Sequence, residues 1–411
     1  MANTILTHQM IAREAADAFM EAAPFMKTIN RGREEDFGKN INGYKQGDTI
    51  TVKIPPTSTV YDGATFAGGG SAPAFAESSV SLQLSSQKHV PLSFTAKEKT
   101  LSITDFRERI LKPAISSLAA YVEADLIARA TALTPNLVGV PGTTPSTFKV
   151  FGAARQALQK NLAPPDPRVC LISSEANVEL VDTTRALFNP IKEVSNAFTS
   201  GAIGNNTGAD WYECVNLASI TNGNKVASVT VSGGSQTGST LTVGGTLSTD
   251  IATSTTNGDT FKKGQVFTIA GVHDVHPLTG TAYTSLRQFV VTADTTATGS
   301  TVSLPIYPAI TTSAPNQTVD ASPANSAALT FVGSASTAYT QSLMYHRDAF
   351  TAAFAPLPVL ASCEGYTFSG NGFAIRVMTF GNGQTDTEST RLDVLYGIAA
   401  VRGIHACRIT Q

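Results

Sequence analysis

Charge is scarce in this chain. Only 15% of the 411 residues are Asp, Glu, Lys or Arg, and 29 basic against 31 acidic side chains leave a formal net charge of −2. No basic stripe results, which excludes the electrostatic footprint of a sequence-specific DNA-binding domain. Cysteine is equally sparse: Cys170, Cys214, Cys363 and Cys407 lie far apart, with no CxxC pair. That spacing fits neither a zinc site nor a disulfide framework and reads as reduced thiols. No run of about 18 apolar residues occurs, so no transmembrane helix is expected. The first residues, MANTILTHQMIAREAADAFMEA, lack the basic start and apolar core of a secretory leader, so cytoplasmic synthesis is expected. GxSxG, Walker A and HExxH motifs are all missing, as is any paired-carboxylate signature, which excludes the enzymes built on them. No catalytic residue, metal or cofactor is expected.

What is present is 42% apolar residues over a length sufficient for two or three domains. Low charge combined with that apolar content implies a surface largely covered by other subunits, because interface cores are depleted of charge.

Along the chain, Thr7 can cap a helix running to about Ala23, with Ile11, Ala15, Ala18, Phe19 and Ala22 on one face and Pro24 near its end. Its narrow, alanine-rich stripe needs a partner surface; Phe19 and Phe25 fit either a partner-binding stripe or ordinary core. GDTITVKIPP and ESSVSLQLSS then alternate apolar and polar residues as strands do. The long segment between them has no core of its own, so the whole reads as a two-stranded arm that lies against a neighbouring molecule. From Ser102 to about Leu133 an apolar stripe recurs at helical spacing, divided by Pro113 into a short and a long helix. Residues 146–220 read as mixed α/β: a helix carrying Phe148, Phe151, Ala154 and Leu158, a buried strand RVCLIS, and a helix capped by Ser174.

Composition then changes. Residues 222–337 are threonine-rich, nearly uncharged and cut by NG, GG and TG turn signals, with short strands such as QVFTIAGV and RQFVVTAD. This predicts an all-β barrel or sandwich, inserted because mixed patterning resumes after it. The last segment returns to strands: Leu392, Val394, Tyr396 and Ile398, then Ile404, Ala406 and Ile409, read as a terminal strand pair with Gly403 at the turn.

The candidate chemistry is thin. His273 and His276 in HDVH follow a strand, precede Pro277 and have only Asp274 close by, so the ligand count falls short of a zinc site and a polar loop is the simpler reading. GGGS at Gly68–Ser71 has no helix behind it to hold a phosphate and reads as a flexible tip. His346-Arg347-Asp348 lacks the other kinase motifs, and His8, His89 and His405 stand alone.

Six stretches, in order, resemble the major capsid proteins of tailed bacteriophages, in the family of the phage P22 coat protein. GDTITVKIPPTSTVYDGATF is similar to the family's extended-loop strand and DG turn, and ITDFRERILKPAISSLAAYVEADL to the entry into its spine helix. GAIGNNTGADWYECVNL resembles the Gly-rich turn before the insertion, although Asp210-Trp211-Tyr212 stands where Phe-Asp-Val-Tyr is more usual. FKKGQVFTIAGV with LRQFVVTADTTATGSTVSLPIYPAI resembles the inserted domain, LMYHRDAFTAAFAPLP the return to the core, and RLDVLYGIAAVRGIHACRI the C-terminal strand pair.

The resemblance implies an α+β, HK97-like capsid fold with an inserted all-β barrel. It divides the chain into an N-terminal arm (1–40), an extended loop with peripheral-domain strands (41–98), a spine helix region (99–145), an axial and peripheral core (146–221), the barrel (222–337) and the return to the core (338–411). It further implies self-assembly into hexamers and pentamers with a scaffolding protein, a portal and packaged double-stranded DNA, with a decoration protein as a further partner and no membrane. Assembly in the host cytoplasm and a final place in the virion follow from it. Tyr61, Asp62, Phe66 and Phe75 in the extended loop are then the subunit-interface candidates, and Ile11, Arg13 and Phe19 in the N-terminal arm the scaffold-contact candidates. An exported, adhesin-like β-protein is the alternative that the Thr/Ser/Gly tract suggests.

Overall fold

The computed structural model describes residues 8–32, 40–41, 44–45, 49–55, 77–95, 112–184, 205–245, 247, 258–370, 372–382 and 387–411. Helices α1 (His8–Ala22) and α2 (Pro24–Thr28) come first, followed by the short paired strands β1 (Asn40–Ile41) and β2 (Tyr44–Lys45). β3 (Thr49–Ile54), β4 (Ser78–Gln83) and β5 (Ser86–Thr95) precede the long helix α3 (Lys112–Ala132). Next come β6 (Asn136–Val138), α4 (Phe148–Lys160), β7 (Arg168–Ile172), α5 (Ser174–Thr184), β8 (Asn205–Asn206), β9 (Ala209–Glu213) and β10 (Ala218–Thr221).

The inserted region holds β11 (Val229–Val231), β12 (Gly238–Gly245), β13 (Thr260–Phe261), β14 (Val266–Val275), β15 (Ala282–Val291), β16 (Thr295–Thr296), β17 (Val302–Ile310) and β18 (Ala328–Phe331). The chain ends with β19 (Ala338–His346), β20 (Phe350–Ala355), β21 (Glu364–Gly370), β22 (Phe373–Asn382), β23 (Thr387–Ala400) and β24 (Ala406–Thr410).

Two compact units result. The first comprises residues 1–52, 80–127 and 350–401. Its centre is an antiparallel sheet ordered β20-β23-β22-β21, with β5 paired along β23. Helix α1 lies on β21 and β22. Among its described side chains Ala12, Ala15, Ala16 and Phe19 are buried and Ile11 is half-buried; Ala18 and Ala22 of the expected face lie outside the described side chains. Phe19 stacks on Phe373 at 4.6 Å, and Phe373 meets Phe354 at 5.1 Å. Small alanines let the helix approach the sheet closely, and one aromatic fills the remaining depth. Pro24 does more than stop α1: it occupies the first turn of α2, where its missing N–H costs nothing. The amide of Phe25 donates to the buried Glu123 carboxylate of α3 at 2.9 Å.

Asp393 is wholly buried in the centre of this sheet. It accepts from Arg376 (2.9 Å), Arg391 (2.8 Å) and Gln87 (3.1 Å), tying together side chains of β22, β23 and β5. A buried carboxylate is tolerable only with such partners.

The second unit comprises residues 53–79, 128–349 and 402–411. A seven-stranded sheet runs β6-β24-β19-β7-β9-β8, with β10 also on β19; β24 with β6 and β7 with β9 are parallel. Helices α4 and α5 pack into one cluster formed by Phe151, Ala154, Leu158, Ala176 and Leu180 against Cys170, Ile172, Met344, Cys407 and Ile409. The predicted face of α4 is thus the buried one, apart from the half-buried Phe148. Ser173, and not Ser174, caps α5: its Oγ accepts from the Ala176 amide at 3.1 Å. Burial pushes the Cys170 thiol far above its usual range and the Cys407 thiol up to about 12, so both act as packing groups.

The insertion closes into an antiparallel barrel, β11-β12-β17-β15-β14-β18. Its interior is filled by alternate side chains of the strands, among them Phe267, Phe289, Phe331, Val243, Leu304 and Ile269. The α+β class with an inserted all-β barrel is therefore the one observed.

The expected terminal strand pair does not form. β23 pairs with β20, β22 and β5, whereas β24 lies between β19 and β6 in the other sheet. Gly403 serves close packing instead of a hairpin turn. A Cβ there would stand 2.8 Å from the Leu133 carbonyl oxygen and 3.0 Å from the Tyr307 ring.

Candidate functional site

The barrel is joined to the sheet beneath it by groups that the sequence makes conspicuous only by their rarity. In a nearly uncharged tract, Asp274 and Arg287 are buried and paired, and Arg287 also donates to Asn161 Oδ1 at the end of α4 (3.1 Å). Gln288 clamps the backbone of Leu137 in β6, donating to its carbonyl and accepting from its amide, both at 2.8 Å. Arg408 of β24 donates to the Gly264 carbonyl at 2.8 Å, and Asn222 donates to the carbonyls of Val332 and Ser334. Leu137, Val266 and Val290 fill the space between these contacts. Directional bonds around a small apolar patch fix the barrel's orientation, which apolar contact alone would not do.

Beneath this seat lies His405, edge-on to His346 with ring centroids 6.5 Å apart. Burial, with help from Arg402 and His346, pushes its pKa down to about 4. Burial likewise lowers Arg408, to about 9. His405 and His346 are thus neighbours, a relation their separation in sequence hid. His8 also finds a partner, Thr379 Oγ1 at 2.9 Å.

The HDVH run departs from its predicted loop. β14 continues through Val275, its register shifting around His273, and the turn begins only at His276. His273 Nδ1 lies 2.8 Å from Asp320 Oδ2. Burial raises the Asp320 carboxyl, but the His273 amide and ring and the Ala321 amide together hold it below its ordinary range. Asp274 points instead to Arg287. His273 and Asp274 therefore serve two separate pairs, His276 Nδ1 accepts from the amides of Leu278 and Thr279, and among the described residues no group of three His, Cys, Asp or Glu is placed to hold a metal.

The assembly candidates divide. Tyr61, Asp62, Phe66 and Phe75 lie outside the described residues. The base of their arm is described: β3 and β4 pair, and Val52 and Leu82 pack with Ala353 and Ala399. Burial fades outward along the hairpin, from Leu82 and Val52 to the exposed pair Lys53–Glu77 at 2.8 Å. On α1, Arg13 is exposed, Ile11 half-buried and Phe19 fully buried in its own unit. Phe25 is buried too, 6.2 Å from Phe350, so both phenylalanines are core. Sequence reading missed the seat because Arg287, Asn161 and Gln288 carry no motif. The only signal was charge standing inside an uncharged β tract.

No curated protein matches the sequence. Among solved structures, the chain is similar to one from Mycobacterium phage Che8 at 14% identity and a TM-score of 0.49, covering 94% of this chain and 90% of that one. It is similar to the capsid of cyanophage P-SCSP1u (10%, TM-score 0.46, 89% and 83% covered) and to the capsid of Ralstonia phage GP4 (9%, 0.46, 89% and 84%). The family profile described as P22 coat protein, gene protein 5, matches residues 1–406, from the N-terminal helix through the barrel and almost to the last strand. The chain belongs to the P22 coat protein family, a family of phage coat proteins.

Proposed function

We propose that the chain is the major capsid protein of a tailed, double-stranded DNA phage, assembling in the host cytoplasm with a scaffolding protein and a portal into an icosahedral head. The observation that carries this reading is the family match over residues 1–406. Hexamers and pentamers are rings closed by one repeated heterologous contact. The sparse charge of the chain and a hairpin arm with little core of its own both suit a subunit that completes itself against neighbours. In this reading Tyr61, Asp62, Phe66 and Phe75 lie over an adjacent copy, and the barrel, fixed by its seat, supports folding and contacts across local two-fold axes. The near-neutral chain meets packaged DNA weakly and without sequence preference.

The scaffold contact falls to the outer face of α1, around Arg13. Phe19 is committed to the core, so removing residues 2–22 would damage the subunit itself. The test is negative-stain microscopy of the chain purified alone and with its scaffolding partner. Closed shells, more uniform with the partner, support the reading, and a dispersed monomer in both samples overturns it. Arg13→Glu is expected to weaken the scaffold's effect without unfolding the chain; unchanged scaffold-dependent shells would remove α1 from that role.

A further inference from the structure

Helices α4 and α5 carry opposite charge. In α4, FKVFGAARQALQK, there are three cations, Lys149, Arg155 and Lys160, and no acid. In α5, SEANVELVDTT, there are three acids, Glu175, Glu179 and Asp182, and no base. Both helices bury their apolar sides in the same cluster, so both polar faces belong to one layer of the second unit. Lys149, Arg155, Gln156 and Gln159 are exposed on the first, and Glu175, Glu179 and Asp182 on the second.

The helix dipoles favour Glu175, in the first turn of α5, and Lys160, in the last turn of α4, but not the other charges. Lys149 sits in the first turn of α4 and Asp182 in the last turn of α5, each at the end where the helix dipole disfavours it. Among the described residues, Lys149 and Arg155 have no carboxylate partner, and Glu175 and Glu179 have no cation. Lys160 is held by Ser285 Oγ at 3.0 Å and lies 5.2 Å over the ring of Tyr283. Lys160 and Tyr283, together with Gly152, Arg155, Gln156 and Gln159, line an open cleft of about 300 Å³ with no acid among its described lining residues. On α5, Val178 stands 68% exposed between Glu175 and Glu179, an apolar side chain open to solvent.

We infer that α4 of one copy receives α5 of the next, so that these two helices form a heterologous contact of the ring. The inference rests on the coat reading. Charge sets the pairing: a contact of either helix with its own copy would place like charges together, whereas α4 against α5 places Glu175 and Glu179 against Lys149 and Arg155, and the ring of the coat reading makes that contact head-to-tail. Val178 then enters the cleft side, and the amides of Gln156 and Gln159 supply neutral donors around it.

The experiment compares the full-length wild-type chain with Lys149→Glu/Arg155→Glu, with Glu175→Lys/Glu179→Lys, and with all four substitutions combined. Rings and shells are followed by sedimentation and negative stain. Each reversed pair is expected to raise the concentration needed for assembly about tenfold or more at low salt, less as salt screens the contact. The fourfold exchange restores assembly, which also rules out misfolding as the cause. Mixing the two reversed proteins restores only even-membered rings, where the two kinds can alternate.

Reversals that assemble like wild type overturn the pairing while leaving the coat reading intact. An α4 reversal that blocks assembly while the α5 reversal does not also overturns it, and assigns the cleft to another anion. A fourfold variant that folds, judged by its circular dichroism, yet stays dispersed likewise overturns it. A wild-type chain that never assembles sinks the coat reading itself.

Discussion

Two β-regions of this molecule solve the problem of sheet edges in opposite ways. The barrel closes on itself, β11 to β18, and covers an aromatic interior in which Phe267 meets Phe289 at 5.8 Å and Phe331 at 5.2 Å. Closure leaves no unpaired edge among its six strands. The sheet of the first unit stays open. β5 pairs with β23 along ten residues and carries Pro91, a residue that cannot donate to a further strand. β3 and β4 form a separate two-stranded sheet, in which Val52 and Leu82 pack with Ala353 and Ala399. The difference is one of closure: the barrel is stabilised from within, while the sheet of the first unit keeps an open edge strand.

The comparison can be broken most sharply inside the barrel. Phe267→Ala removes a fully buried ring from a closed core that cannot collapse around the loss, and about 3–5 kcal/mol of stability is expected to go with it. Urea denaturation followed by circular dichroism checks this. A loss under about 1 kcal/mol would mean that the barrel is not stabilised by its own interior.

Next in size is the pH response of the barrel's seat. Above about pH 7.5 His405 is neutral both folded and unfolded. As pH falls, the unfolded chain takes up the proton first, so stability declines through the folded value of about 4. The full penalty is on the order of 3 kcal/mol. Urea midpoints at pH 7 and pH 4.5 should separate more for wild type than for His405→Gln. Equal separation would remove His405 from the acid response.

Smallest is a change at the open sheet. A Cβ on Gly397 would fall 2.0 Å from the Gln83 carbonyl oxygen, where the chain leaving β4 crosses β23. Gly397→Ala is expected to cost about 1–3 kcal/mol and to loosen the arm base ahead of global unfolding. Hydrogen exchange along β3–β5 reads this directly, and unaltered protection there would show that the backbone yields without detaching the arm.

The helices α1, α3 and α4, the buried strand β7 and the all-β character of the insertion could be read from periodicity, because each buries one face, or all of itself, at a regular spacing along the chain. Asp393 and the pair Asp274–Arg287 could not. A charged residue in a strand normally marks the solvent side, and only its partners, distant in sequence, permit burial. The separation of β23 from β24 escaped for a related reason. Two strands joined through a short turn containing glycine resemble a hairpin locally, and nothing in the alternation states which sheet each enters.

By itself the sequence determined where apolar faces recur, where the composition turns to threonine and away from charge, and, through the ordered succession of its segments, the coat family. These are local or compositional properties, set by spacing along the chain. Only the tertiary structure decided that Phe19 and Phe25 belong to the core, that the HDVH run gives His273 to Asp320 and Asp274 to Arg287, and that a cationic and an acidic helix share one layer. Each depends on which side chains from remote positions meet. Burial and pairing are properties of those meetings, and no stretch of sequence contains both partners.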